Sequence, residues 1–299
     1  MNILVFGAGA IGSLFGALLS KNNTVVLIGR TAHATMIKKH GLKITGKTNI
    51  TVHTPAETTV ENIACPPDLV MITVKAYDTK AAIKTVQKLI TKNTMVMSLQ
   101  NGLDNIDTIE KTIDRKHIIA GVTSHGALFT RPGWVEHTGK GYTVLGELDG
   151  AQTQRLQRLV SLFNEAGIET QLSTTILNEL WAKGIINSSI NPLTTFFTCK
   201  NGYLLENPIL EHVVELVCHE STTVAQATST PVSYQEMLRK TKQVIRMTAD
   251  NDSSMLQSMK KKKKTEIDSI NGNIVTLAKK YSVEVPLNEI LLDLIKNMS

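Results

Sequence analysis

The sequence predicts an α/β fold: a Rossmann-type dinucleotide-binding domain over residues 1–172, followed by an all-helical domain over residues 173–299. Three observations predict it. The chain opens on a strand, a Gly-x-Gly-x-x-Gly turn and a helix. Strand and helix patterns then alternate through the first half. From about Gln152 onward the pattern is almost wholly helical.

The opening element is the most informative. The apolar run Asn2 to Phe6 leads into Gly7-Ala8-Gly9-Ala10-Ile11-Gly12 and then into the helical stretch from Ser13. Gly7 permits the tight turn, Gly9 lets backbone approach a pyrophosphate, and Gly12 lets helix and strand pack closely. The unpaired N–H groups and the positive dipole end of the helix then attract phosphate. The second strand, Thr24 to Ile28, ends in Gly29-Arg30-Thr31. A fold selecting NAD places a carboxylate there for the ribose 2′-hydroxyl. A guanidinium instead suits a 2′-phosphate, so Arg30 argues for NADP.

The later elements follow in order. A short helix fits Thr31 to His40. Asp68 to Val74 is a near-continuous apolar strand, with Lys75 at its carboxyl end, where ligands gather in open α/β sheets. A helix fits Thr79 to Ile90, and a strand Thr94 to Leu99, ending in Gln100-Asn101-Gly102. Residues 118–146, broken by Gly and Pro, are expected to extend the sheet antiparallel. Further helices are expected over 152–166, 174–190, 208–228, 233–247, 253–259, 265–281 and 286–297, with a short strand over 168–172.

Bulk properties exclude several classes. The chain has 299 residues, 42% hydrophobic and 19% charged, which suits a globular protein rather than a disordered one. No apolar run is long enough to cross a bilayer. A core strand begins by Ile3, so no removable signal peptide is expected. Three scattered cysteines, Cys65, Cys199 and Cys218, give no metal or disulfide framework and suit a reducing cytoplasm. The net charge is +6, which suits an anionic cofactor and substrate as well as it suits nucleic acid. The run Lys260 to Lys264 lacks interleaved aromatic residues, so it reads as a solvated turn and not as a nucleic-acid platform.

The chemistry points to one helix. Lys183, Asn187 and Asn191 fall at i, i+4 and i+8 and share one face in apolar surroundings. An ammonium and two amides on a buried stripe suit a substrate site, the alternative being a structural hydrogen-bond network. Reducing a ketone needs a hydride on carbon and a proton on oxygen, and a desolvated lysine has its pKa lowered towards neutrality and can supply that proton. His125 and His137, in the Gly-rich segment, are the alternative donors. Ser253-Ser254 before an apolar run reads as a helix start with N–H groups for a carboxylate. Thr265-Glu266-Ile267-Asp268 reads as another helix start, and spacing alone leaves open which carboxylate serves the site.

These residues resemble the ketopantoate reductase (2-dehydropantoate 2-reductase) family along nearly the whole chain. The likeness rests on the opening Gly-Ala-Gly-Ala-Ile-Gly, Val74-Lys75-Ala76-Tyr77, Gln100-Asn101-Gly102 and the stretch from Pro132 to Gly139. It continues through Leu180-Trp181-Ala182-Lys183, Asn187, Asn191-Pro192-Leu193-Thr194, the stretch from Ser253 to Gln257 and that from Thr265 to Gly272. The resemblance implies that Lys183 is the proton donor and that Glu266 sits by it and the cofactor. It implies that Asn187, Asn191, Asn201 and Ser254 bind substrate, Ser254 at its carboxylate, and that Asn101 lies between ribose and substrate. Arg30 and Lys75 would hold the adenosine phosphate end, and Gly126 would lend backbone near the nicotinamide. One departure is visible: Ser258 and the lysine run stand where the family often has Asp.

The function implied is NADPH-dependent reduction of 2-dehydropantoate to (R)-pantoate, in pantothenate and coenzyme A synthesis. The alternatives are a reductase of a different 2-oxo acid, or a non-catalytic NADP-binding regulator. A cytoplasmic enzyme is expected, with a small-molecule partner and no nucleic acid, membrane or metal; a homodimer is compatible with it.

Overall fold

A computed structural model describes residues Met1–Met298. It forms two compact units, one made of Met1–Gln100 and Asn105–Ile176, the other of Asn101–Asp104 and the chain from Leu177 on.

The strands of the first unit are β1 (Asn2–Phe6), β2 (Thr24–Ile28), β3 (Leu42–Gly46), β4 (Ile50–Val52), β5 (Ala56–Glu57) and β6 (Leu69–Ile72). They continue as β7 (Met95–Ser98), β8 (Ile118–Thr123), β9 (Gly126–Arg131), β10 (Trp134–Gly139), β11 (Thr143–Glu147) and β12 (Thr170–Leu172). Its helices are α1 (Ala10–Leu19), α2 (Thr31–His40), α3 (Thr79–Val86), α4 (Asn105–Glu110) and α5 (Gln154–Glu165). The main sheet has the order β12-β11-β8-β7-β6-β1-β2-β5. All its neighbours are parallel except β11 on β8. The central strands β6 and β7 are buried at every residue, as parallel strands covered on both faces must be.

The expectation that residues 118–146 extend one sheet needs correction. β8 and β11 do join the main sheet, but β9 and β10 leave it and pair with β3 and β4 in a second sheet, ordered β4-β3-β10-β9. The reason lies in α1, which is buried from Gly12 to Ala17 and at Leu19. A helix apolar on nearly all sides needs cover on both. β1 and β2 cover one side, and β3, β9 and β10 the other, with Leu42, Ile44 and Val135 in the shared core.

The second unit carries α6 (Ile176–Phe196), α7 (Tyr203–Glu206), α8 (Pro208–Ala227), α9 (Tyr234–Met247), α10 (Ser254–Lys260), α11 (Asn273–Tyr281) and α12 (Pro286–Met298). α8 is central and packs against α7, α9, α11 and α12. Asn207 caps it, accepting from the N–H groups of Ile209 and Leu210, and Pro208 occupies the first turn, where its missing N–H is harmless.

Two expectations in this unit are corrected. The helix expected to stop at Ile190 runs on through Pro192 to Phe196, although a proline disfavours helix in the residue before it. The helix expected over 265–281 begins as a π-type turn, Asp268–Gly272, before α11. There the Gly272 N–H reaches back five residues to the Ile267 carbonyl at 3.0 Å.

Candidate active site

In the first unit the phosphate turn is built as its glycines require. Gly7 has φ +114°, and a Cβ there would stand 2.5 Å from the Val74 nitrogen. A Cβ on Gly12 would stand 2.3 Å from the Gly7 carbonyl. Gly9 is exposed, and a Cβ there would meet nothing nearer than 3.9 Å. The turn is therefore closed on its protein side and open where a phosphate would approach. Gly9 caps α1 without any side-chain hydrogen bond, and the first turn holds no acidic residue. Ala8 is buried, while Ala10 and Ile11 are half-buried at the helix start. These features fit a pyrophosphate.

The ends of neighbouring strands are tied to this turn. The Thr73 hydroxyl, just past β6, donates to the Gly7 carbonyl at 2.9 Å. Lys75 follows, half-buried. Gln100, just past β7, donates to the Val74 carbonyl at 2.9 Å and the Thr79 hydroxyl at 2.7 Å. Sequence reasoning gave Gln100 no role of its own, because its partners lie more than twenty residues away. Arg30 is exposed at the end of β2, at the start of α2. Gly126 opens β9, paired with Gly139.

The two histidine candidates are buried against each other. His125 Nδ1 lies 3.2 Å from His137 Nε2, and His137 Nδ1 lies 2.9 Å from the Thr48 hydroxyl. Burial pushes the His125 pKa down to about 4, and lowers that of His137 too. Both rings are therefore neutral near pH 7, and neither is suited to give up a proton there.

In the second unit Lys183, Asn187 and Asn191 share α6 as their spacing requires. Burial lowers the Lys183 pKa from 10.5 to about 8, while the negative charge of Glu266 holds it from falling further. Glu266 is itself only 6% exposed. Asn101 belongs to the Asn101–Asp104 segment of this unit. Within that segment the Leu103 N–H bonds the Ser269 carbonyl at 3.2 Å, close in sequence to Glu266.

The remaining candidates gather around the other end of α6. Ser253 caps α10 through the Leu256 N–H, and its hydroxyl accepts from Thr194 of α6 at 2.8 Å. Ser254 follows it, exposed. The Asn201 N–H bonds the Asn251 carbonyl at 3.1 Å, and Asn201 Nδ2 bonds the Thr248 hydroxyl at 2.9 Å. Asn191 and Asn201 are both buried, yet Asn191 Nδ2 and Asn201 Oδ1 have no hydrogen-bond partner among the described residues. A buried donor or acceptor left unpaired costs about 1–3 kcal/mol, so each of these two atoms has hydrogen-bonding capacity to spare.

Lys260 to Lys264 are exposed, in the last turn of α10 and the turn beyond it. Lys260 pairs with Asp252 at 2.6 Å and Lys264 with Asp268 at 3.9 Å. Among the described residues no cluster could hold a metal ion, and no helix is long and apolar enough to cross a membrane.

Comparison with known proteins covers nearly the whole chain. Residues 3–150 match the family described as Ketopantoate reductase PanE/ApbA, and residues 175–299 its C-terminal part. A 2-dehydropantoate 2-reductase of Pyrococcus horikoshii is 38% identical over 299 residues, which is 99% of this chain and 97% of the relative. The crystal structure of a PanE/ApbA family ketopantoate reductase from Ralstonia eutropha JMP134 superposes with a TM-score of 0.92 at 28% identity, covering 100% and 98% of the two chains. The ternary structure of a D-mandelate dehydrogenase with NADH and anilino(oxo)acetate superposes at 0.95 with 29% identity and the same coverage.

Proposed function

The chain belongs to the ketopantoate reductase family and is an oxidoreductase, and on that premise we propose that it reduces 2-dehydropantoate to (R)-pantoate with NADPH. Residues 1–172 would hold the cofactor and residues 173–299 the substrate. Gly7 to Gly12 would take the pyrophosphate, Arg30 and Lys75 the adenosine phosphate end, and Gly126 and Asn101 the nicotinamide ribose side. When bound, NADPH supplies the hydride that the ketone carbon accepts.

The observation that carries the reading is Lys183: a desolvated ammonium with a pKa of about 8, supported by the Glu266 carboxylate and followed along one helix face by Asn187 and Asn191. It is mostly protonated at pH 7, yet acidic enough to release a proton to a developing alkoxide. Glu266 keeps the ammonium charged until that moment. Asn187 and Asn191 would orient the ketone and carboxylate, with Ser254 at the carboxylate. A non-catalytic regulator has no use for such a proton donor.

The D-mandelate dehydrogenase likeness favours a second reading, a different 2-oxo acid. Asn201 speaks for the first. Its buried, unpaired Oδ1 needs a donor, and 2-dehydropantoate offers a hydroxyl where an aryl 2-oxo acid offers none. A site built around a substrate hydroxyl discriminates strongly against analogues lacking it. The test is NADPH oxidation with 2-dehydropantoate, its analogue without the hydroxyl, and phenylglyoxylate, for the wild type and Lys183→Ala. The reading expects kcat/KM for 2-dehydropantoate to exceed the others by about 10²-fold or more, and activity to collapse in the variant. A preference for phenylglyoxylate favours the second reading, and undiminished turnover in Lys183→Ala removes the proton donor.

A further inference from the structure

Pro192 lies inside α6. A proline there removes the N–H that would bond the carbonyl four residues back, and its ring crowds that carbonyl. The carbonyl is that of Ser188, a residue with 0% exposure, so bulk water cannot serve it. Asn271 does: its Nδ2 donates to the Ser188 carbonyl at 3.2 Å, across 83 residues of sequence. The same Nδ2 donates to Asn288 Oδ1 at 3.0 Å. Two acceptors facing one amide nitrogen fix which way the amide points.

The network is continuous. Asn288 Nδ2 donates to Glu220 Oε2 at 2.8 Å, and the Ser221 hydroxyl donates to Asn288 Oδ1 at 3.4 Å. The Ser221 hydroxyl also lies 2.9 Å from that of Ser188. Glu220 in turn accepts from the N–H groups of Leu287 and Asn288 at the start of α12. Asn271 stands in the π-type turn that begins two residues after Glu266, and the Glu266 carbonyl accepts from the N–H groups of Ser269 and Ile270. One amide therefore ties the backbone that carries Glu266 to the helix that carries Lys183, five residues beyond the lysine.

We propose that Asn271 is a positioning residue, which fills the hydrogen bond that Pro192 removes from α6 and thereby sets where Glu266 stands relative to Lys183. The inference rests on Lys183 being the proton donor. A helix without the proline would satisfy Ser188 by itself, and its carbonyl would not call for a donor from the segment that carries Glu266. The missing N–H makes the join directional. A π-type turn is a widened stretch of helix, a form common at functional sites, and here it presents Asn271 to α6.

The experiment separates the two roles that Asn271 could have, which are satisfying a carbonyl and holding a geometry. Asn271→Leu keeps the approximate shape and removes the donor. It should lower Tm and reduce kcat about 10–100-fold, the cost of a small misplacement, with the NADPH Kd unchanged. The alkaline limb of kcat/KM should move to lower pH, because Glu266 raises the Lys183 pKa. Pro192→Ala/Asn271→Leu restores an N–H to Ser188 within α6, so Tm should recover while kcat and the alkaline limb stay displaced. Wild-type kcat and limb in either folded variant overturn the proposal, as does kinetic recovery that tracks Tm in the double variant. Should Asn271→Leu not fold, the double variant carries the test. Inactive wild type, or fully active Lys183→Ala, would instead refute the reading of the site.

Discussion

The ionisation of Lys183 should be visible in the pH dependence of turnover. Burial brings its pKa from 10.5 to about 8, and a general acid works only while protonated. The pH dependence of kcat/KM reports the ionisation of the enzyme before the limiting substrate binds. With a pKa of about 8, about nine-tenths of the lysine is protonated at pH 7, one-tenth at pH 9 and one-hundredth at pH 10. Hence kcat/KM should fall about tenfold from pH 7 to pH 9, and about tenfold again by pH 10. An ordinary ammonium, with a pKa near 10.4, would lose almost nothing up to pH 9. The assay is the initial rate of NADPH oxidation at limiting 2-dehydropantoate. Lys183→Ala should lose about 10²–10⁴-fold, and its residual rate should show no such limb. Glu266→Gln removes the anion that holds the pKa up, so its limb should lie below that of the wild type. A wild-type profile flat to pH 10, or a limb that persists in Lys183→Ala, would refute the assignment.

The same ionisation should appear in folding. The unfolded chain keeps its Lys183 proton up to about pH 10.5, while the native state loses it from about pH 8, so stability rises with pH through that window. The stability advantage of Lys183→Met over the wild type should therefore shrink by about 3 kcal/mol from below pH 8 to above pH 10.5, read from denaturant unfolding; a constant difference contradicts the burial. Arg30→Ala should raise KM for NADPH much more than for NADH, since a 2′-phosphate contact is equally present in ground and transition states; an equal effect on both cofactors removes Arg30 from the phosphate. Ser254→Ala should raise KM for the keto acid and leave the NADPH Kd largely intact, and the reverse result would place Ser254 at the cofactor.

The sequence carried the parts of the fold whose signals are local. β1, α1 and β2 follow from one apolar run, one glycine pattern and a second run. α2 lies over Thr31–His40, where a short helix is expected. The second sheet escaped because β3 and β4 are short, five and three residues, and because β3 pairs with β10 about ninety residues away. Helix α6 outran its expected end because the bond lost at Pro192 is replaced by Asn271, which no local pattern reveals. In the candidate site, the stripe of Lys183, Asn187 and Asn191 could be read from spacing. Glu266 could not, since its neighbour Asp268 has equal claim by spacing, and only resemblance separated them. Burial separates them as well: Glu266 is buried and Asp268 is exposed, paired with Lys296.

The second unit is discontinuous along the chain, and this bears on how it can be cut, grafted or made. Residues Asn101–Asp104 belong to it, with Leu103 packed against the cluster of Ile267, Ile270 and Ile274. A gene fragment beginning at Leu177 would omit that side chain and the backbone bond from Leu103 to Ser269. Such a truncation would open a hole in that apolar cluster, and fusion at a single junction would not transplant the unit whole. During synthesis the four residues leave the ribosome more than seventy positions ahead of the rest of their unit. They must wait for α6 and the Glu266 segment before their own packing is complete. Exchange between related chains should therefore keep Asn101–Asp104 and the C-terminal half together, as one inheritance in two pieces.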